Sequence, residues 1–143
     1  MERKVMGDRQ DWNKKIIEEF RANQGKVGGM FQGTPILLLH HTGAKSGKVR
    51  VNPLAYQANG NRLVVFASKG GAPTNPDWFH NLKANPRATV EVGTETRDVR
   101  ARVAEGEERE KIWSRQKEIM PGFAGYETKT TRQIPVIILE PVS

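Results

Sequence analysis

Nine residues of this chain, Thr42-Gly43-Ala44-Lys45-Ser46-Gly47-Lys48-Val49-Arg50, gather three cations and the Ser46 hydroxyl around two glycines, with no acid among them. Exposed backbone N–H groups flanked by Lys, Arg and Ser can hold a phosphate or a carboxylate. The run is not a Walker A loop. That motif needs Gly directly before its Lys-Ser pair and a helix behind it, whereas Ala44 precedes Lys45 and the residues after Lys48 read as a strand. Taken alone, a basic hairpin turn is more often solvated than occupied. A second segment, Ser68-Lys69-Gly70-Gly71-Ala72-Pro73-Thr74-Asn75-Pro76-Asp77-Trp78, leaves a strand through paired glycines that let a ligand approach the backbone. It enters a helix with Asn75 as the expected cap, Pro76 at the first helical position and Asp77 in the first turn. A third, Met120-Pro121-Gly122-Phe123-Ala124-Gly125-Tyr126, reads as a loop with Met120, Phe123 and Tyr126 at three-residue steps, an apolar wall carrying one phenol.

Other chemistries lack their residues. With no cysteine there is no disulfide, thiolate cluster or thiol nucleophile. His40 and His41 are neighbours on an expected strand and face opposite sides, and His80 has no triad, so no metal site is expected. Ser46 and Ser68 lack a nucleophile elbow, and no paired carboxylates stand out.

The elements that must position these segments follow from periodicity. Residues 10–24 place Trp12, Ile16, Ile17 and Phe20 on one helical face, with Lys14, Lys15, Glu18, Glu19 and Arg21 opposite. Four glycines in residues 25–33 make a loop carrying Met30 and Phe31, either a connector or a flexible lip over a pocket. Extended runs at 35–41, 49–57, 62–68, 88–92, 96–104 and 133–139 arrive mostly as hairpins, and further helices are expected from Asn75-Pro76 to Asn85-Pro86 and over 105–118. Six strands with about three appended helices indicate an α+β fold built on a small, mainly antiparallel barrel. A chain of 143 residues makes one domain, with residues 1–33 as a helix and loop and 34–143 as the barrel.

The charge of +7 calls for an anionic partner, which nucleic acid, acidic lipid and a phosphorylated small molecule all satisfy. A basic small-barrel nucleic-acid binder is disfavoured by ordinary aromatic content, 7%, and by cations concentrated at turns. The polar start and the lack of an apolar run approaching roughly 18 residues suggest a cytoplasmic chain. Lys14 and Lys15 leave a loose, membrane-peripheral contact through the first helix open.

Taken together, Thr42-Gly43-Ala44-Lys45-Ser46-Gly47 with Arg50 and Pro53-Leu54, Ala67-Ser68-Lys69-Gly70-Gly71-Ala72-Pro73 with Pro76, Trp78 and Asn81-Leu82, and Thr131-Arg132 with Ile134-Pro135-Val136 closely resemble the deazaflavin (F420)-dependent nitroreductase family. The resemblance implies a split β-barrel of the FMN-binding-like kind and use of coenzyme F420, an 8-hydroxy-5-deazaflavin with a lactyl phosphate and an oligoglutamate tail. By position, Ala44, Lys45, Ser46 and Arg50 would hold the phosphate and the start of the tail, with Lys48 at the edge. Val51, Asn52, Pro53, Leu54 and Ala55 would run along the coenzyme, Phe66, Ala67, Ser68 and Lys69 would flank its rings, and Asp77, Trp78, Phe79, His80 and Asn81 would close the pocket, with Phe123 also in contact. Met30, Phe31, Met120, Phe123 and Tyr126 would form the acceptor site, and Ser68 and Tyr126 would act in catalysis.

Family members often carry Tyr-Pro-Pro-Tyr-x-x-Tyr where this chain has Met120-Pro121-Gly122-Phe123-Ala124-Gly125-Tyr126, keeping only Tyr126. The expectation is therefore hydride transfer to a lipophilic, electron-poor acceptor such as a quinone or an unsaturated lactone or ketone, with nitroaromatics less favoured. The alternative within the fold is a barrel that binds FMN or another small molecule. Monomer and weak homodimer both fit the resemblance.

Overall fold

The computed structural model describes residues 13–28, 33–68 and 74–142. Strands β1 (Ile36–Thr42), β2 (Val49–Ala55), β3 (Gln57–Asn59), β4 (Arg62–Phe66), β5 (Arg87–Val92), β6 (Glu95–Val103) and β7 (Val136–Pro141) form one sheet in the order β2-β1-β5-β6-β7-β4-β3. Every pairing is antiparallel. The two edge strands, β2 and β3, are consecutive in the chain and separated only by Tyr56. The single strand expected over 49–57 is thus two strands. The Tyr56 N–H donates to the Pro35 carbonyl (3.1 Å), and beyond that bend the chain leaves β1 and pairs with β4 instead. One bent segment belongs to both edges, so the sheet curls into a split β-barrel.

Side-chain alternation sorts the core. Leu37 and Leu39 of β1, Val90 of β5, Val99 of β6, Ile137 and Leu139 of β7 and Leu63 and Val65 of β4 fill the interior. Helix α2 (Asp77–Ala84) adds Trp78, Phe79 and Leu82 to that cluster. Outside, Ile36 and Leu38 pack on Ile16 and Phe20 of α1 (13–22) and on Val27. Val64, Phe66, Val136 and Ile138 pack on Ile112 and Trp113 of α3 (Gly106–Ile119). The apolar stripe expected on the first helix is therefore occupied by the barrel, and Lys14, Lys15 and Glu18 face solvent. Arg21 clamps the helix further, donating to both carboxylate oxygens of Glu91 (3.1 and 2.7 Å) beside His40 Nε2, which lies 2.5 Å from Glu91 Oε2. Among the described residues no helix is long and apolar enough to cross a membrane.

Two expectations need correction. The 120–126 segment is not a loop, because α4 spans Gly122–Lys129 and raises the helix count among the described residues to four. Pro121 sits at φ −57°, ψ −23°, already helical, and the first bonds run from Phe123 N–H to Met120 O and from Ala124 N–H to Pro121 O. Gly125 costs about 1 kcal/mol in the helix interior, and packing of the partly buried Phe123 and Tyr126 rings against the cluster of α3 and β4 offsets it. No residue of α4 is itself buried. The cap of α2 is Pro76 rather than Asn75, whose side chain is used elsewhere.

Helix α1 ends with Gln24 at φ +58° and a bond from Gly25 N–H to Phe20 O (2.7 Å), the pattern in which a left-handed residue closes a helix. A Cβ on Gly25 (φ +94°) would stand 2.6 Å from Gly93 Cα in the β5–β6 turn, so the helix end and the hairpin meet backbone to backbone. Gly25→Ala should therefore destabilise the fold by about 1–3 kcal/mol. Gln24→Gly should stabilise it by a few tenths to about 1 kcal/mol, both read as denaturant midpoints.

Candidate functional site

Strands β1 and β2 are joined by a turn that closes on itself. Gly43 N–H donates to Lys48 O (2.8 Å), Gly47 N–H to Gly43 O (3.0 Å) and Lys48 N–H to Ser46 Oγ (3.2 Å). A Cβ on Gly43 would displace the Ser46 hydroxyl from its bond to Lys48 N–H, and Gly47 holds φ +70°, where a side chain is strained. The outer surface of the turn is exposed, and Lys45, Lys48 and Arg50 make no ion pair with any described carboxylate. Three free cations on a rigid turn suit a ligand with separated negative charges.

The inner side of the turn is tied to α2. Its Ala44 N–H donates to Asn81 Oδ1 (2.9 Å), Asn81 Nδ2 lies 3.0 Å from His41 Nδ1, and His41 Nε2 lies 2.7 Å from Asn52 Oδ1. Asn85 Nδ2 adds a long bond to Thr42 O (3.4 Å). His41 is 2% exposed, and burial pushes its imidazole below the ordinary value of 6.5. The hydrogen bond with Asn52 and the charge of Asp77 oppose that shift, while Arg50 and His40 add to it. A histidine held neutral in the fold weakens it as pH falls below about 6.5, where the unfolded imidazole gains a proton that the folded one resists.

Beyond β4 the backbone is held by Arg132. Its Nη1 donates to Ala67 O (3.1 Å) and Asn75 Oδ1 (2.7 Å), and its Nη2 donates to Ser68 O (2.8 Å). Partial burial pulls the guanidinium below its ordinary value without discharging it. One side chain thus joins the exit from β4 to the entry of α2.

On the opposite side an aromatic wall forms. Phe66 meets Trp113 (5.9 Å between centroids) and Phe123 (5.6 Å), and Phe123 meets Tyr126 (5.0 Å). Helix α4 is fastened to α3 by Trp113 Nε1, which donates to Glu127 Oε2 (2.5 Å), and by Lys117 Nζ, 3.2 Å from Glu127 Oε1. The Trp113 donor and then Lys117 hold the Glu127 carboxyl below the usual carboxylate range.

The family model of F420H(2)-dependent quinone reductase matches residues 12–141. The chain belongs to this family. It is 36% identical to the F420H(2)-dependent quinone reductase of Mycobacterium tuberculosis strain H37Rv, over 84% of this chain and 83% of that one. A solved structure described as an F420-H2 dependent reductase superposes with a TM-score of 0.69 at 48% identity, covering 74% of this chain and 94% of its own. Another, described as a domain-swapped dimer, gives 0.71 at 41% identity over 94% and 98%. The family is one of oxidoreductases that depend on coenzyme F420, and the donor set of the 43–50 turn fits that coenzyme's phosphate and carboxylates.

Within the family reading, the structure brings Ala44, Lys45, Ser46, Arg50, Asn52 and Asn81 to one end of the barrel. It divides the β2 segment by face. Leu54 packs on the interior cluster, whereas Val51 and Ala55 pack toward α1, so a ligand following all five residues from Val51 to Ala55 could do so only along the backbone edge. Pro53 lies on that edge strand, where a missing N–H is tolerated. Phe66 is committed to Trp113 and Phe123, Ala67 to the interior, and Trp78 and Phe79 are plugs of the barrel core. Asp77 and His80 are exposed at the outer side of α2. Ser68 is buried beside the Arg132 anchor, and Tyr126 and Met120 are half-buried, Met120 Sδ accepting from Gln116 Nε2 (3.1 Å). Met30, Phe31 and Lys69 lie outside the described residues.

The residues that sequence reasoning missed are those that hold others in place. His41 follows Leu37 and Leu39 on the inward parity of β1, a signal that was available. Arg132 reaches 64 residues back to Ser68, which no local pattern reveals. Arg132→Leu should cost about 1–3 kcal/mol by leaving buried carbonyls unpaired. Arg132→Lys should recover part of that loss, as urea denaturation of the two variants will show.

Proposed function

We propose that this chain binds reduced F420 through the 43–50 turn and catalyses hydride transfer to a quinone. The observation that carries the reading is the exposed, acid-free set of Lys45, Lys48 and Arg50, borne on a turn whose backbone is hydrogen-bonded into one end of the barrel, in a chain of this family. Lys45 and Arg50 would take the phosphate and first carboxylates, and Lys48 the tail beyond them. When bound, the reduced deazaflavin supplies a hydride from ring carbon 5, and the acceptor oxygen that gains negative charge takes up a proton.

The protein's own contribution is placement and charge stabilisation. Tyr126 is half-buried on α4, packed against Phe123, and its hydroxyl has no hydrogen-bond partner among the described residues. It is free to donate to an acceptor oxygen. Ser68 offers a second hydroxyl where the chain leaves β4. Met120 and Phe123 supply apolar surface that favours a lipophilic ring over a polar one, so quinones come first, unsaturated lactones or ketones next and nitroaromatics last.

Fluorescence titration with F420 and with FMN, at low and high salt, checks the coenzyme assignment. F420 should bind, more weakly at high salt, and Lys45→Ala should weaken binding and flatten the salt dependence. Preferential binding of FMN would overturn it. Tyr126→Phe should lower turnover of a soluble naphthoquinone by about 10²-fold to 10³-fold at saturating coenzyme, and unchanged turnover would remove Tyr126 from the chemistry.

A further inference from the structure

The bonds that reach the basic turn from inside the barrel admit only one arrangement of protons. Ala44 N–H can only donate, so the Asn81 atom 2.9 Å away must be its carbonyl oxygen. The Asn81 amide nitrogen then faces His41 Nδ1 at 3.0 Å and donates, so Nδ1 carries a lone pair. The imidazole proton therefore sits on Nε2 and is donated to Asn52 Oδ1 at 2.7 Å. Polarity runs from the turn's backbone through α2 and β1 to β2, and every link depends on the one before.

We propose that His41 is the positioning residue of the anion-binding turn. Its neutral Nε2–H form, held by Asn52, orients the Asn81 amide so that Ala44, and with it Lys45 and Ser46, is presented in a fixed direction to the coenzyme. The proposal rests on the reading of that turn as the coenzyme's anion site. A second proton on Nδ1 would set donor against donor at Asn81. The amide would have to flip, turning its NH2 toward the Ala44 N–H and releasing the turn. His41 is buried, and burial, with Arg50 on β2 and His40 on its own strand, disfavours a charged ring and outweighs the opposing pull of the Asn52 bond and of Asp77 on α2. A pre-organised anion site loses less entropy when its ligand arrives.

The test begins on the free protein. Nitrogen-15 NMR should show His41 as the Nε2–H form from about pH 6 to pH 8, with the Ala44 amide signal moving when His41 is substituted. Asn81→Asp keeps an oxygen for Ala44 but presents another acceptor to Nδ1, so it should convert His41 to imidazolium near neutral pH. An Nδ1–H form in the wild type, or an Ala44 amide indifferent to His41, overturns the proposal. On the coenzyme side, His41→Ala and Asn81→Leu should each weaken F420 binding about tenfold, and the double variant should be no weaker than either, because the two act through one chain of bonds. His41→Gln, whose amide offers one donor and one acceptor, should restore most of the affinity. Additive losses, or no rescue by Gln, overturn it. Should wild-type protein fail to bind F420, the function proposed above falls, while the nitrogen signals still decide the proton arrangement.

Discussion

The bend at Tyr56 makes the two edges of the sheet neighbours in the chain, and with only that one residue between β2 and β3 they cannot separate. A seven-stranded antiparallel sheet under that restraint has to curl, because a flat arrangement would place its first and last strands some six spacings of roughly 4.8 Å apart. Curling sends alternate side chains into a closed interior and leaves the other set to be covered from outside. The positions of α1, α3 and α2 follow from where that apolar surface remains.

Closure also produces an end, and the end is where polar groups collect. Strand β1 buries Leu37 and Leu39 and then, one step further on the same face, His41. Strand β2 carries Leu54, then Asn52 and Arg50, on its inward parity. Helix α2 adds three apolar side chains and Asn81. The barrel core thus grades from hydrocarbon into a satisfied hydrogen-bond network and then into an exposed cationic turn. An isolated basic turn would be solvated and mobile. This one is ordered because each buried polar group behind it has a partner, which is the condition under which polar burial adds rigidity.

Much of this architecture could be read from residue order. Alternating apolar residues marked the hairpins, the stripe Ile16, Ile17 and Phe20 marked α1, and the helix expected over 105–118 is α3. Helix α4 was hidden because Pro121, Gly122 and Gly125 argue against a helix on propensity alone, and the rings of Phe66 and Trp113 that hold Phe123 come from elsewhere in the chain. The break at Tyr56 was hidden for a related reason, since Tyr itself favours strands and only the competition between β1 and β4 for partners reveals it. The chemical residues were the more legible half of the site. Lys45, Lys48 and Arg50 announce themselves by charge, while Arg132 and the Asn81 amide act over distances that short patterns do not carry.

Helix α4 contributes no buried residue of its own to the fold and is fastened chiefly through Glu127 and two ring contacts. Its exposed positions can therefore change at little expense in folding stability, whereas the basic turn is tied into the barrel core. With the acceptor at α4 and the coenzyme at the turn, as proposed, such a division would let selection vary the oxidised partner by rewriting one eight-residue helix while the electron donor stays the same. In a lineage of paralogues built this way, acceptor preference would diverge faster than coenzyme use, and it would do so within a short stretch of the gene.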